Sequence, residues 1–254
     1  MSTKPDAWTL SPQLTEAPEL WRNAQLVVPL WEGSGPPVDI VTGNNASIVG
    51  LPAWNASRSG RTIKGTQSGT SERIIFPSLR QSSNSNPYTI AVFFNRSTAG
   101  FTSVSGGDEA LISIDDDFLF FEDSRAHLYM EDGDGTLKFI NQIGQGASAA
   151  IEGTTTGLND GKNHVCVVVS DGVDSANNKM WLDGKEEPIT VSGSEDPTIG
   201  TTHPILLLNG SAQSENRASL ANIYLAVLIF EKWTPVQVKK FSGDPFAMLR
   251  PAGF

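Results

Sequence analysis

The chain has 254 residues, with 28 acidic against 18 basic side chains and a formal net charge of −10. Because an acidic surface repels phosphate backbones, this charge argues against nucleic-acid binding. The single cysteine, Cys166, excludes an intramolecular disulfide and a cysteine-based zinc site, and no apolar run is long enough to span a bilayer.

Residues 1–23 mix prolines, charges and apolar side chains without a helix or strand period, which predicts an extended N-terminal arm ahead of a domain at residues 24–254. The arm also has no apolar segment typical of a secretory signal, so we expect synthesis in a cytoplasm without export by that route. Its apolar residues are candidates for docking the arm on this domain or on a neighbouring subunit: Trp8, Leu10, Leu14 and Trp21.

From residue 24 onward, short β-rich runs alternate with turns rich in Gly, Pro, Asp and Asn. The run at 88–94 is almost wholly apolar, which is typical of a central strand, and the two Asp-Gly pairs at 132–135 predict a hairpin. The predicted strands cover residues 25–31, 47–49, 73–76, 88–94, 110–114, 118–121, 126–130, 136–140, 164–170, 179–182, 205–209 and 220–230.

One helix is predicted near the C-terminus. Thr234 is a favourable N-cap, Pro235 occupies the first helical position, and Gly243 ends the helix. A dozen short strands and one short helix predict an all-β fold.

Four stretches carry a family pattern through their order and spacing. They are residues 25–35 with a Glu-Gly-Ser-Gly turn, 60–64 with 74–77, 160–165 with 180–185, and 218–230 with 233–235 and 244–246. Together they resemble the LamG-like domains of the concanavalin A-like superfamily, of the phage or bacterial surface type. The resemblance implies a two-sheet antiparallel jelly-roll sandwich over about residues 24–250. The chain departs from the family at Asn163 and Phe246, where Trp is usual.

The resemblance also implies roles for single residues. Trp31 and Trp233 align with packing positions of the family, Trp54 with a strand position, and no tryptophan is nominated as a sugar platform. His164 is expected to be a packed structural imidazole, and Cys166 lies in an apolar run that predicts a small buried thiol.

Catalytic motifs are missing from the sequence. The glucanases of this superfamily carry acids two residues apart on one strand face, and no glutamate here has Asp two residues later. We therefore expect no enzymatic activity, with a carboxylate pair assembled by the fold as the less favoured alternative.

Calcium is the one cofactor that the sequence raises, because many LamG-like domains bind it through acidic loops. Calcium takes six to eight oxygen ligands, and the alternative is an ordinary solvated turn, where Asp is common. The candidate ligands are Asp115, Asp117, Asp132 and Asp134.

Three functions follow, in order of preference. The first is a structural or decoration protein on the virion surface of a bacteriophage, associated with other virion proteins or with its own copies as a homo-oligomer, and contacting host cell-surface glycan. The second is a stand-alone carbohydrate-binding module, calcium-dependent or not, at an extracellular or cell-surface location. The third is a glycoside hydrolase. Membrane insertion is not expected.

Overall fold

The structure is a computed structural model. It describes residues 15–57, 59–65, 72–77, 87–97, 109–114, 125–131, 134–143, 147–172, 174–193, 204–208 and 219–251. Within these residues the chain forms two eight-stranded sheets in which every pairing is antiparallel.

In the front sheet, a strand near the C-terminus pairs with the first strand of the chain and with one strand of an early hairpin. Its strands are β1 (Ala24–Pro29), β3 (Ala53–Ser57), β4 (Gly60–Lys64), β6 (Tyr88–Ser97), β11 (Asp160–Ser170), β12 (Lys179–Leu182), β13 (Lys185–Glu187) and β16 (Asn222–Ile229). Their order is β13-β12-β11-β6-β16-β4-β3, with β1 also paired to β16.

The back sheet holds the remaining strands. They are β2 (Ser47–Val49), β5 (Arg73–Phe76), β7 (Glu109–Ile114), β8 (Arg125–Met130), β9 (Leu137–Ile143), β10 (Ala147–Gly153), β14 (Ile189–Ser192) and β15 (Ile205–Leu207). Their order is β14-β10-β9-β8-β7-β15-β5-β2. This arrangement confirms the all-β, two-sheet antiparallel sandwich predicted from the sequence.

The main core lies between the two sheets. Successive residues of a strand point to opposite faces, so alternate positions of β6, β9 and β16 supply Phe94, Phe139 and Leu228, which are all buried. The hairpin predicted around residues 132–135 is confirmed by the pairing of β8 with β9. In the turn between β12 and β13, Asp183 and Gly184 have φ angles of 50° and 79°, as a two-residue hairpin turn requires.

A second apolar cluster lies on the outer face of the front sheet. Val167 and Val227 of this face pack beneath residues from both chain ends, including Leu20, Phe241 and Met248. The central strands β6, β11 and β16 are therefore buried on both faces, which explains why the run at 88–94 is almost wholly apolar.

Residues 15–23 pack on the domain itself. Trp21 is 7% exposed, and its Nε1–H donates to the carbonyl of Met248 at 2.5 Å. The backbone N–H of Glu16 donates to Arg250 O. Trp21 is thus an anchor on this chain's own domain, which is one of the two options that the sequence left open. Trp8, Leu10 and Leu14 lie outside the described residues.

The predicted C-terminal helix is confirmed as α1 (Pro235–Gly243), and short 3-10 helices occur at Pro18–Trp21, Ser175–Asn177 and Ala247–Leu249. The Thr234 side chain accepts a hydrogen bond from Gln237 N, and the Gln237 side chain accepts one from Thr234 N, which completes a capping box. In the part of the chain that is described, no helix is long and apolar enough to cross a membrane.

The tryptophans for which packing roles were expected differ in their burial. Trp233 is 3% exposed, as predicted, but Trp31 is 47% exposed and the prediction for it is wrong. The reason is that β1 ends at Pro29, so Trp31 lies beyond the strand at the start of a turn with Gly33 at a φ of 72°. Trp54 is half-buried against the main core, and its Nε1–H donates to Gly35 O.

Candidate functional site

A polar groove of about 470 Å³ lies on the outer face of the front sheet, next to the apolar cluster covered by the chain ends. Four asparagines from four different strands line it, and we call it the amide groove. They are Asn55 on β3, Asn95 on β6, Asn163 on β11 and Asn222 on β16.

Strand register brings these asparagines together. Asn222 is the cross-strand partner of Asn95, and Asn95 is the partner of Asn163. On the other side of β16, Asn55 is paired with Thr62 of β4. The polar row therefore crosses five neighbouring strands, because one outward-facing position of each strand carries an amide or a hydroxyl group.

The groove is crossed by hydrogen bonds that link the β3–β4 hairpin to the sheet. The Asn222 Oδ1 atom accepts from Asn55 Nδ2 at 3.3 Å and from Thr62 Oγ1 at 3.1 Å. The Asn163 Nδ2 group on β11 donates to Ser59 Oγ, at the tip of the β3–β4 hairpin. In the sheet, β6 and β16 lie between β11 and this hairpin. The hairpin tip thus curls over the sheet and gives the groove a wall.

The opposite wall is the start of β11. Asn95 Nδ2 donates to Gly161 O at 2.5 Å and to Asn163 Oδ1 at 3.3 Å. Hydrogen bonds from side-chain amides therefore link both walls to the groove.

Several polar atoms of the groove remain available to a ligand. Asn222 Nδ2 as a donor, and Asn55 Oδ1 and Asn95 Oδ1 as acceptors, make no hydrogen bond to the residues that the structure describes. A side-chain amide offers two donors and one acceptor oxygen, so the row presents both kinds of group to whatever enters.

The floor contains Tyr224, which is only 3% exposed. Its ring stacks on Phe93 with centroids 4.6 Å apart, and its hydroxyl lies 3.0 Å from Ser57 Oγ. A register shift between Ile223 and Leu225 places Tyr224 and Leu225 on the same outer face. The groove therefore receives a phenol hydroxyl from below, and it gains no exposed aromatic platform from this ring.

The charge of the groove is unusual for an acidic protein. Among the described residues that line it, none carries a carboxylate, and Lys64 is the one charged side chain. Glycoside hydrolysis by the common mechanisms needs two carboxyl groups flanking the scissile bond, and this lining provides neither.

Near the groove wall, His164 is held between two aspartates. Its Nδ1 lies 2.9 Å from Asp183 Oδ2, and its Nε2 lies 3.2 Å from Asp160 Oδ1, while Lys162 pairs with the other oxygen of Asp160. The hydrogen bond to Asp183 is the main reason why the pKa of His164 is raised above its ordinary value. His164 is 8% exposed, and it thus fixes the first residues of β11, which include Gly161 and Asn163.

We expect His164→Gln to lower stability more at about pH 5.5 than at about pH 9. A histidine whose pKa is raised on folding contributes stability that is complete below the unfolded pKa of about 6.5 and is lost as pH rises through the folded pKa. Urea unfolding of both proteins at the two pH values measures the difference. A loss that is equal at both values, or larger at high pH, would contradict this role.

The calcium candidates are placed only in part. Asp134 Oδ1 accepts a hydrogen bond from Thr136 N at 2.9 Å, which stabilises the turn. Asp115, Asp117 and Asp132 lie outside the described residues. Within the described ranges, no group of three or more His, Cys, Asp or Glu side chains is arranged to hold a metal ion. Calcium binding stays a prediction.

The buried carboxylates have structural partners. Asp39 accepts from the backbone N–H groups of Val27 and Val41, and Glu187 accepts from those of Thr154 and Thr155. Cys166 is fully buried, as predicted, and burial raises the pKa of its thiol, which leaves it unsuited to act as a nucleophile.

The sequence did not identify the amide groove. In the sequence, Asn55 and Asn95 stand out only as the first residues of Asn-x-Ser sequons, and Asn163 only as a departure from the LamG-like pattern. The signal that was present is an asparagine where the apolar stretch of a strand meets its polar end, repeated in β6, β11 and β16.

Comparison with protein-family models and with curated proteins gave no match. Among solved structures, the chain is similar to domain 4 of AbnA, a GH43 extracellular arabinanase from Geobacillus stearothermophilus, in complex with arabinotriose. The TM-score is 0.58 at 14% identity, over 87% of this chain and 98% of that domain.

Two toxin domains resemble this chain with comparable TM-scores. The receptor binding domain of botulinum neurotoxin D gives a TM-score of 0.61 at 11% identity, over 88% of this chain and 53% of that one. The binding domain of Paraclostridial Mosquitocidal Protein 1 gives 0.59 at 13% identity, over 88% and 52%. The chain spans about half the length of these toxin domains. At such identities the likeness establishes the fold: this chain is a two-sheet antiparallel β-sandwich of the kind that these binding domains share.

Proposed function

We propose that the chain is a non-catalytic carbohydrate-binding module of the LamG-like type, and that the amide groove is its glycan site. The observation that carries the proposal is the row of amides across neighbouring strands, with donors and acceptors left available.

Sugars match this chemistry closely. Each sugar hydroxyl both donates and accepts a hydrogen bond, and an amide offers both functions in one plane. The groove volume of about 470 Å³ lies within the roughly 300–1,000 Å³ range of small-molecule sites. Because the walls are polar and already hydrogen-bonded to each other, a ligand meets a largely pre-formed surface.

The similar structures support a glycan as ligand. One was determined with arabinotriose, and another botulinum neurotoxin D ligand binding domain, at 11% identity and a TM-score of 0.60, was determined with N-acetylneuraminic acid. These ligands belong to those proteins, and they support a sugar ligand here by analogy of fold.

The same groove supports a role in binding rather than catalysis. A retaining glycosidase places two carboxyl groups about 5 Å apart, and an inverting one places them roughly 6.5–9.5 Å apart. Among the described lining residues there is no Asp or Glu. A sugar held in this groove would therefore be bound without being cleaved.

Glycan binding is expected to fall about tenfold or more when Asn222→Ala or Asn95→Ala is introduced, since each change removes hydrogen bonds worth roughly 0.5–1.5 kcal/mol and opens a groove wall. The measurement is binding of the full chain to a glycan panel, with calcium and with a chelator. Asn44→Ala is a matched control, because Asn44 is an exposed asparagine in another loop.

Full binding by both groove variants would overturn the assignment of the groove. Loss of wild-type binding on chelation would instead place the site at the acidic loops.

A bacteriophage particle remains our proposal for where the module works, at the virion surface with its own copies or other virion proteins. It is supported by the acidic composition and by the apolar residues of the N-terminal segment. Since Trp21 is already engaged within the domain, the docking part of the proposed arm narrows to the segment that contains Trp8, Leu10 and Leu14.

A further inference from the structure

Lys64 is the last residue of β4, and its half-buried side chain lines the amide groove. Its ammonium makes no ion pair and no side-chain hydrogen bond to any described residue.

Several other cations of this protein lie against carboxylates. Lys138 contacts Glu131 and Glu152, and Arg96 is paired with Glu109. In a chain with 28 acidic and 18 basic residues, carboxylates are plentiful. A lysine that lines a concave site without one is therefore a distinct feature of the groove.

The energetics of a bound ligand follow from this arrangement. A neutral ligand that covers Lys64 removes water from an unpaired cation and returns no opposite charge, which is unfavourable. A ligand with an anionic group restores a partner and forms a charge-assisted hydrogen bond, which is about twice as strong as a neutral one. The amides can hold the uncharged hydroxyls of the same ligand.

We infer that the amide groove selects glycans that carry an anionic group, a carboxylate or a sulfate, and that Lys64 is the specificity-determining residue that contacts it. This inference rests on the proposed function, because it requires that the groove binds sugars. Net charge opposes it at long range, so the preference arises from the local contact and not from steering.

The test compares three oligosaccharides with one backbone: a neutral form, a carboxylate-bearing form and a sulfated form. Binding of each to the full-length wild type and to Lys64→Gln is measured by calorimetry at low and high salt. We expect the wild type to bind at least one anionic form about tenfold more tightly than the neutral form. In Lys64→Gln that difference disappears, and in the wild type it shrinks at high salt.

Lys239→Gln is the matched control, because it removes the same charge from an exposed position on α1. It should keep the wild-type preference. A preference for the carboxylate form alone or for the sulfated form alone supports the inference and identifies the anion.

Two results would overturn the inference. Equal binding of neutral and anionic forms by the wild type, or a preference that survives in Lys64→Gln, refutes the role of Lys64 while the proposed function stands. A folded wild-type protein that binds none of the three forms, nor any glycan of the panel, overturns both.

Discussion

Replacing Glu109 by alanine is expected to lower the free energy of unfolding by about 3–5 kcal/mol. Glu109 on β7 of the back sheet pairs with Arg96 on β6 of the front sheet, with Arg96 Nε 2.9 Å from Glu109 Oε2. The Arg96 side chain is only 2% exposed. The same carboxylate accepts from Leu220 N at 3.0 Å. Its removal takes away the carboxylate that accepts three hydrogen bonds from this buried guanidinium, and it also removes the acceptor of the Leu220 N–H. Urea unfolding measures the loss.

The control for this prediction is Glu186→Ala. Glu186 pairs with Lys179 at the surface, where the two side chains are 48% and 52% exposed, so its loss should cost less than about 1 kcal/mol. The double change Arg96→Met and Glu109→Leu should recover part of the stability, because it removes both charges of this buried pair together. If Glu109→Ala were as mild as Glu186→Ala, the pair would not be a significant link between the sheets.

Most of the strands that the sequence predicts bury large apolar side chains, whereas β2 is only half-buried, and the predicted strand at 118–121 lies outside the described residues. The run at 88–94 and α1 follow from apolar patterning and capping residues, both of which are local signals. β10 was missed because its sequence, Ala-Ser-Ala-Ala-Ile-Glu-Gly, is rich in residues that are rare in strands. It is a strand because β9 and β14 pair with it on either side, and that pairing is not a local property.

The amide groove depends on register in the same way. Asn55 and Asn222 are 167 positions apart in the chain, and they meet only because β3, β4 and β16 are neighbours in the front sheet. A shift of one residue in any of these pairings would turn the asparagine to the other face. The sequence shows each asparagine as an isolated polar residue, and a single chain contains no local signal that they form one surface.

For Trp21, the sequence predicted the anchoring residue but not the residue that it contacts. Its apolar character marked it as an anchor, while the contact with Met248 joins positions 227 residues apart. The partner is at the far end of the chain, so the sequence left open whether the anchor faced this domain or a neighbouring subunit.

Trp21→Ala is accordingly expected to lower the free energy of unfolding by about 3–5 kcal/mol. The ring is 7% exposed and belongs to the outer apolar cluster with Phe241 and Met248, so its removal leaves a cavity and uncovers part of the front sheet. Trp21→Phe keeps most of the packing but leaves the Met248 carbonyl without its donor, and should cost about 1–3 kcal/mol. Urea unfolding followed by far-UV circular dichroism measures both.

Trp31→Ala is the matched control, because it deletes the same side chain from a position that is 47% exposed. Its cost should stay near or below about 0.5–1 kcal/mol, as for surface substitutions without a special role. Equal losses for Trp21→Ala and Trp31→Ala would mean that residues 15–23 do not belong to the folded unit. A loss that is largest for Trp21→Ala, smaller for Trp21→Phe and smallest for Trp31→Ala would show that residues 15–23 cover the front sheet as part of the folded unit. The difference between the two Trp21 variants then separates the contribution of ring packing from that of the hydrogen bond to Met248.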